Sequence, residues 1–232
     1  MRVEDVRKAI TPLHLVFAGA LLCLVDVDYV YTRVADGTGW QIDLVSDAVG
    51  MVLIIIGVGV LAALPVRRAY RRAMLVVLAV AIAGALKAVQ DHFIYVQPAN
   101  LRLLFMVLGL AELVAMLLFC LAMEWFCETA HLPRAAVSWR VTLVLFTVVY
   151  VIPLGSFYAI RLVTMLFGEP FRVRLGWAAV PALTVCAVPI LHLLVSARRM
   201  ARESRERQAE TPAPASDEPP ADASAPGEES PT

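Results

Sequence analysis

Charge is scarce in this chain. Asp, Glu, Lys and Arg make up 17% of its 232 residues, and the two signs cancel at twenty each. A balanced chain has no basic field to hold nucleic acid, so none is expected as a partner. Cysteine is sparse too. Cys23, Cys120, Cys127 and Cys186 show no C-x-x-C spacing, which excludes a dithiol redox motif or a zinc ribbon and leaves four small hydrophobes. His14, His92, His131 and His192 are scattered, with no i,i+4 pair and no bracketing acid, so no metal centre is expected. The phosphate-loop, G-x-S-x-G and H-E-x-x-H patterns are also missing. No cofactor is expected, no catalytic residue can be named, and whether the chain is an enzyme stays open at this point.

What the chain does have is apolar length. Hydrophobic residues are 60% of it, and the mean hydropathy is +0.74. Soluble domains sit nearer 45–50% apolar, so lipid is the expected solvent for the excess, and the lipid bilayer is the expected partner. Six segments, near 12–31, 44–64, 73–96, 101–126, 141–163 and 175–197, each reach about the 20 residues that a helix needs to cross the bilayer core. Open-ended segments can span lipid only as helices, because each must satisfy its own backbone groups. The expected fold class is therefore all-α: a bundle of six transmembrane helices. The boundaries read as a cytoplasmic N-terminus over 1–11, a six-span domain over 12–200, and a basic juxtamembrane segment with an acidic tail over 201–232. An apolar run after Arg2, Arg7 and Lys8 also resembles a signal peptide, but its length and the lack of a small-residue cleavage site argue for a span.

Basic residues give an orientation. Fourteen of the twenty cluster beside alternate segment ends, at 2–8, 67–72, 134–140 and 198–207. Arg33, Lys87, Arg102, Arg161, Arg172 and Arg174 make up the remainder. That bias puts both termini in the cytoplasm, and the plasma membrane is the expected site. Aromatics are read as interface belts, with Tyr29, Tyr31, Trp40, Tyr95, Tyr158 and Trp177 outside and Tyr70, Trp125 and Trp139 inside. From 210 onward the chain carries six prolines, six acids and no base. It has nothing to bury and reads as a disordered tail. A solubilising role competes there with docking to a membrane or cytosolic protein partner.

Small and polar residues repeat on shared helix faces. The stripes are Gly19, Cys23 and Asp26; Asp47, Gly50, Ile54 and Gly57; Ala83, Gly84, Lys87, Gln90 and Asp91; and Gly109, Glu112, Ala115 and Met116. Small residues permit close helix approach and polar ones avoid lipid, so the four stripes are expected to face each other. Gly57–Gly59 is a packing feature and not a phosphate loop, and Pro153, Pro181 and Pro189 are expected to kink the last two spans. At about 1.5 Å per residue, Lys87 and Asp26 come out level, which predicts that they pair. Glu112 lies about 7–8 Å lower, near the bilayer centre, and should face the bundle. Asp43 and Asp47 stand at the mouth of the second span. Asp43 or Ser46 can cap that helix, and the dipole favours acids there. The alternative is a cation or ligand site at the outer face, where Asp26, Asp28, Asp36 and Asp91 gather at the level of Asp43 and Asp47. The deeper Lys87 and Glu112 read either as a polar latch between helices or as a proton- or cation-linked site, so the candidate residues are Asp26, Asp47, Lys87, Asp91 and Glu112.

The segment Ile42-Asp43, Asp47, Gly50, Leu53-Ile54 and Gly57 resembles a recurring I-D-x-L-P-D-F-I-G-Y-x-L-I-x-x-G stretch of small uncharacterised bacterial multi-pass membrane proteins. Val45-Ser46 stand where that stretch has Leu-Pro, and Met51 where it has Tyr. The resemblance implies a bacterial membrane protein and lends no catalytic residue. Two function classes follow from the residues: a non-enzymatic membrane module (a sensor, accessory subunit or small transporter-like bundle), or an intramembrane enzyme or cation-binding protein built on the outer acids.

Overall fold

The computed structural model describes residues 3–24, 28–32, 39–43, 47–93, 99–166 and 179–210. They are predominantly helical: α1 (Val3–Leu24), α2 (Asp47–Ala62), α3 (Arg68–Phe93), α4 (Ala99–Thr129), α5 (Pro133–Phe146), α6 (Ile152–Leu166) and α7 (Ala179–Glu210). A π-helical turn, Thr147–Val151, joins α5 to α6 in one continuous rod. Among the described residues, five stretches are long and apolar enough to cross a membrane: Asp5–Leu24, Arg68–Gln90, Leu103–Thr129, Pro133–Thr164 and Thr184–Glu210. The remaining expected span, α2, is apolar but has only 16 residues, about 24 Å of helix.

Neighbours in sequence are neighbours in space. The order runs α1, α2, α3, α4, α5, α7, and α7 closes the ring against α1. The core lies toward one end of that ring, where Leu13, Leu61, Met74, Met123, Phe126 and Trp139 are fully buried. Outward faces carry exposed Val, Leu and Ile on every helix from α1 to α7.

Several expectations need correcting. The first helix ends at Leu24, not Tyr31, and the chain then forms two antiparallel strands, β1 (Asp28–Thr32) and β2 (Gly39–Asp43). The β-branched and aromatic residues of DYVYT favour extended backbone over a continued helix. The described residues are otherwise helical, so the all-α class stands with this short hairpin added at the link. At its other end, α1 starts at Val3 and not at residue 12, because Val6 and Ala9 extend the apolar stripe of Leu13 and Val16 into the core. Likewise α7 continues past residue 200 to Glu210, with Met200, Glu203 and Ser204 buried. Residues 211–232, the expected acidic tail, lie outside the described residues.

Two inner aromatics are not belt residues. Tyr70 and Trp139 are 0% exposed. Tyr70 donates its hydroxyl to the Leu61 carbonyl at 2.9 Å, and Trp139 packs edge-on to Phe119, ring centroids 6.0 Å apart. Trp125 does stay partly exposed, with the Arg67 guanidinium 4.5 Å above its ring.

The hinge between α4 and α5 follows from local chemistry. The amide of Leu132 donates to Cys127 and that of His131 to Glu128, at 2.8 and 3.0 Å. This is the Schellman closure of a helix C-terminus. His131 occupies its left-handed position with φ 57°, where glycine is usual. Leu132 is buried behind it, and Pro133 opens α5, where its missing N–H costs nothing. The start of α5 is capped from another helix: Glu203 of α7 accepts from the amides of Arg134 and Ala135 at 3.2 and 2.7 Å.

Prolines act unequally. Pro153 is the second residue of α6, with Ile152 between it and the π turn, and Pro189 is buried inside α7. Pro181, expected to kink its span, stands in the first turn of α7, where no intrahelical bond is lost.

Candidate functional site

The glycine stripes of α1 and α2 meet face to face. A Cβ at Gly50 would stand 2.5 Å from Cys23 Sγ and 2.8 Å from the Gly19 carbonyl. One at Gly57 would stand 2.7 Å from the Pro12 carbonyl. Bare backbone on both sides lets this pair of helices touch. Gly59 has open space around it, so only half of the G-V-G is a packing feature.

Above the core the ring does not fill. It leaves a half-open cavity of about 260 Å³ between the helices. Ala20 and Cys23 of α1, Met51 and Ile54 of α2, Ala81 of α3, Ala115 and Phe119 of α4, and Leu193 of α7 line it, with Phe146 and Tyr150 from the α5–α6 rod. The lining has one carboxylate, Glu112 of α4. Its position depends on a glycine: a Cβ at Gly84 of α3 would lie 2.8 Å from Glu112 Oε1 and 3.0 Å from Met51 Cε. The acid thus lies across the bare backbone of α3 and faces inward, as its stripe predicts. Tyr150 is positioned by the π turn, and its hydroxyl donates to the Cys186 carbonyl at 2.8 Å. That carbonyl belongs to the turn preceding Pro189, where the helix ladder is interrupted.

The other candidate residues do not gather around Glu112. Asp47 is the first residue of α2, and its carbonyl receives the Cys23 thiol at 3.8 Å. Asp43 is not at that helix start, because it ends β2 opposite Asp28. Ser46 and Asp26 lie outside the described residues, as does the side chain of Asp91. The predicted Lys87–Asp26 pair falls there too. Lys87 is partly buried, its Nζ 6.0 Å from the Phe105 ring centroid, at the edge of cation–π range. Gly109 was expected to face the other stripes. It faces α6 instead, where a Cβ would meet the Tyr158 hydroxyl at 2.6 Å. Among the described residues, no group of three His, Cys, Asp or Glu is placed to hold a metal.

Sequence reasoning overlooked the polar seam between α5 and α7. Thr142 Oγ1 lies 2.9 Å from both His192 Nδ1 and Ser196 Oγ, and Ser138 Oγ lies 2.9 Å from Ser196 Oγ. The matched i,i+4 spacings of Ser138/Thr142 and His192/Ser196 were the available signal. Glu124 of α4, 5% exposed, was overlooked as well. It accepts from Arg140 Nε at 2.9 Å.

Comparison with protein-family models, curated proteins and solved structures finds no match to this chain.

Proposed function

We propose that this chain is a non-enzymatic integral membrane module that holds a small hydrophobic ligand in its central cavity. In this reading the six helical segments cross a bacterial plasma membrane with both termini cytoplasmic. The exposed aliphatic faces support insertion, since contiguous apolar surface of that extent needs a cover other than water. The basic count supports the orientation, and the resemblance of 42–57 supports the bacterial setting.

The observation that carries the reading is the cavity itself. It is larger than the ~150 Å³ apolar cavity that admits a benzene molecule, and its single carboxylate is packed in place over Gly84. An apolar pocket with one fixed polar group is the usual form of a small-molecule site. The ligand class that fits is an apolar body bearing one cationic or hydrogen-bond-donating group for Glu112.

Thermal unfolding of the purified chain in detergent, with phenylbutylamine added, tests this. The amine should raise the midpoint with dose, as a ligand selective for the folded state must. Phenylbutanol should do so less. Filling the cavity with Ala115→Phe should abolish the effect, and Glu112→Gln should erase the preference for the amine. Equal stabilisation of the wild type and Ala115→Phe would show that the probe acts through the detergent, and the reading would fail.

A further inference from the structure

A second concavity lies away from the central one, between the first turns of α5 and the last turns of α7. It measures about 570 Å³ and is walled by Pro133, Arg134 and Val137 on one side and by Arg199, Arg202, Glu203 and Glu206 on the other. Three guanidinium groups thus share a groove with two carboxylates. The carboxylates are already engaged. Glu203 is buried and spends its two oxygens on the amides of Arg134 and Ala135. Glu206 pairs with Arg134 Nη1 at 3.4 Å, with both side chains more than half exposed. Such a pair is weak. Arg199 and Arg202, one turn apart and exposed, make no ion pair among the described residues. The groove therefore carries surplus positive charge at its rim.

Below the rim the walls turn apolar without changing face. On α5, Val137 is followed by exposed Val141 and Val144, at spacings that keep them beneath Arg134. On α7, exposed Val195 and Leu191 precede Arg199 at successive four-residue steps. The Ser138–Ser196 and Thr142–His192 contacts fix the two helices antiparallel and in register. The two rows therefore run side by side, charged at one end and aliphatic along the rest.

That profile matches an amphiphile with an anionic head. We infer that the α5–α7 groove binds the phosphate headgroup of an anionic phospholipid, with an acyl chain lying along the Val141–Val195 seam. Guanidinium groups bind phosphate through paired N–H donors, and basic pockets between spans at the cytoplasmic face suit such headgroups. The inference rests on the membrane reading above and is independent of the central cavity.

The test uses the full chain purified in an uncharged detergent, with thermal midpoints recorded against phosphatidylglycerol, phosphatidylcholine and soluble glycerol phosphate. Phosphatidylglycerol should raise the midpoint, and the other two should not at equal concentration. The double variant R199Q/R202Q should need about tenfold more phosphatidylglycerol or above for the same shift. The single variants, each expected to need about fivefold more, keep the test readable if the double variant folds poorly. Equal effects of phosphatidylcholine, or an unchanged double variant, would overturn the site. An equal effect of glycerol phosphate would make it a soluble-anion site and overturn the lipid assignment. If the chain were monodisperse without detergent, the membrane reading itself would fall, before any lipid is added.

Discussion

Single residues set the hinges and spacings of this bundle, and His131 is the clearest case. A non-glycine side chain in the left-handed region costs roughly 1–2 kcal/mol. The Schellman closure around His131 imposes that conformation at φ 57°. Replacing it with glycine relieves the backbone but adds freedom to the unfolded chain. His131→Gly is therefore expected to stabilise the protein by about 0.5–1 kcal/mol, measured as a rise in chemical-denaturation midpoint. A fall would show that the imidazole makes a contact worth more than the strain. At this scale the sequence was only partly legible. Glu112 and Gly84 stood on the right faces because helix periodicity alone fixes a face. Glu203 could not be read as the cap of α5, since 69 positions separate it from Arg134 and only the tertiary fold brings them together. Nothing local distinguished the buried Trp139 from an interfacial tryptophan.

Elements reveal where hydrophobic pattern suffices and where it misleads. Long apolar runs made the helices legible, and the glycine spacing on α1 and α2 announced their close crossing. A pair of substitutions isolates that crossing. Gly50→Val drives its side chain into Cys23 Sγ and the Gly19 carbonyl, an overpacking expected to cost about 1–3 kcal/mol. Gly59→Val, on the same helix with open space around it, should change stability by less than about 0.5 kcal/mol. Thermal midpoints in detergent decide this, and equal effects of the two variants would remove the close crossing from the account. Apolarity misled at the end of α1, where the first expected segment was carried on to Tyr31, through residues of β1 that are less apolar than those of a span. The strand is marked there both by its β-branched and aromatic residues and by the fall in hydropathy at its Asp and Thr. It also left the α5–α7 seam unseen, since Ser and Thr at four-residue spacing carry no charge to draw notice.

For the whole molecule, the proposal is a ring of six membrane-crossing segments around one ligand cavity. Its weakest strut is α2, whose 16 residues span about 24 Å against a core of roughly 30 Å. A short helix is tolerated by local thinning of the bilayer at modest cost. If α2 did not cross, α1 and α3 would have to run antiparallel, and the inner basic clusters would be split between two sides. Reporter insertions after Gly39, after Arg72 and after Gln208 therefore test the architecture most directly. The account predicts an external signal at Gly39 and cytoplasmic signals at Arg72 and Gln208. An external signal at Arg72, or a cytoplasmic one at Gly39, would contradict it.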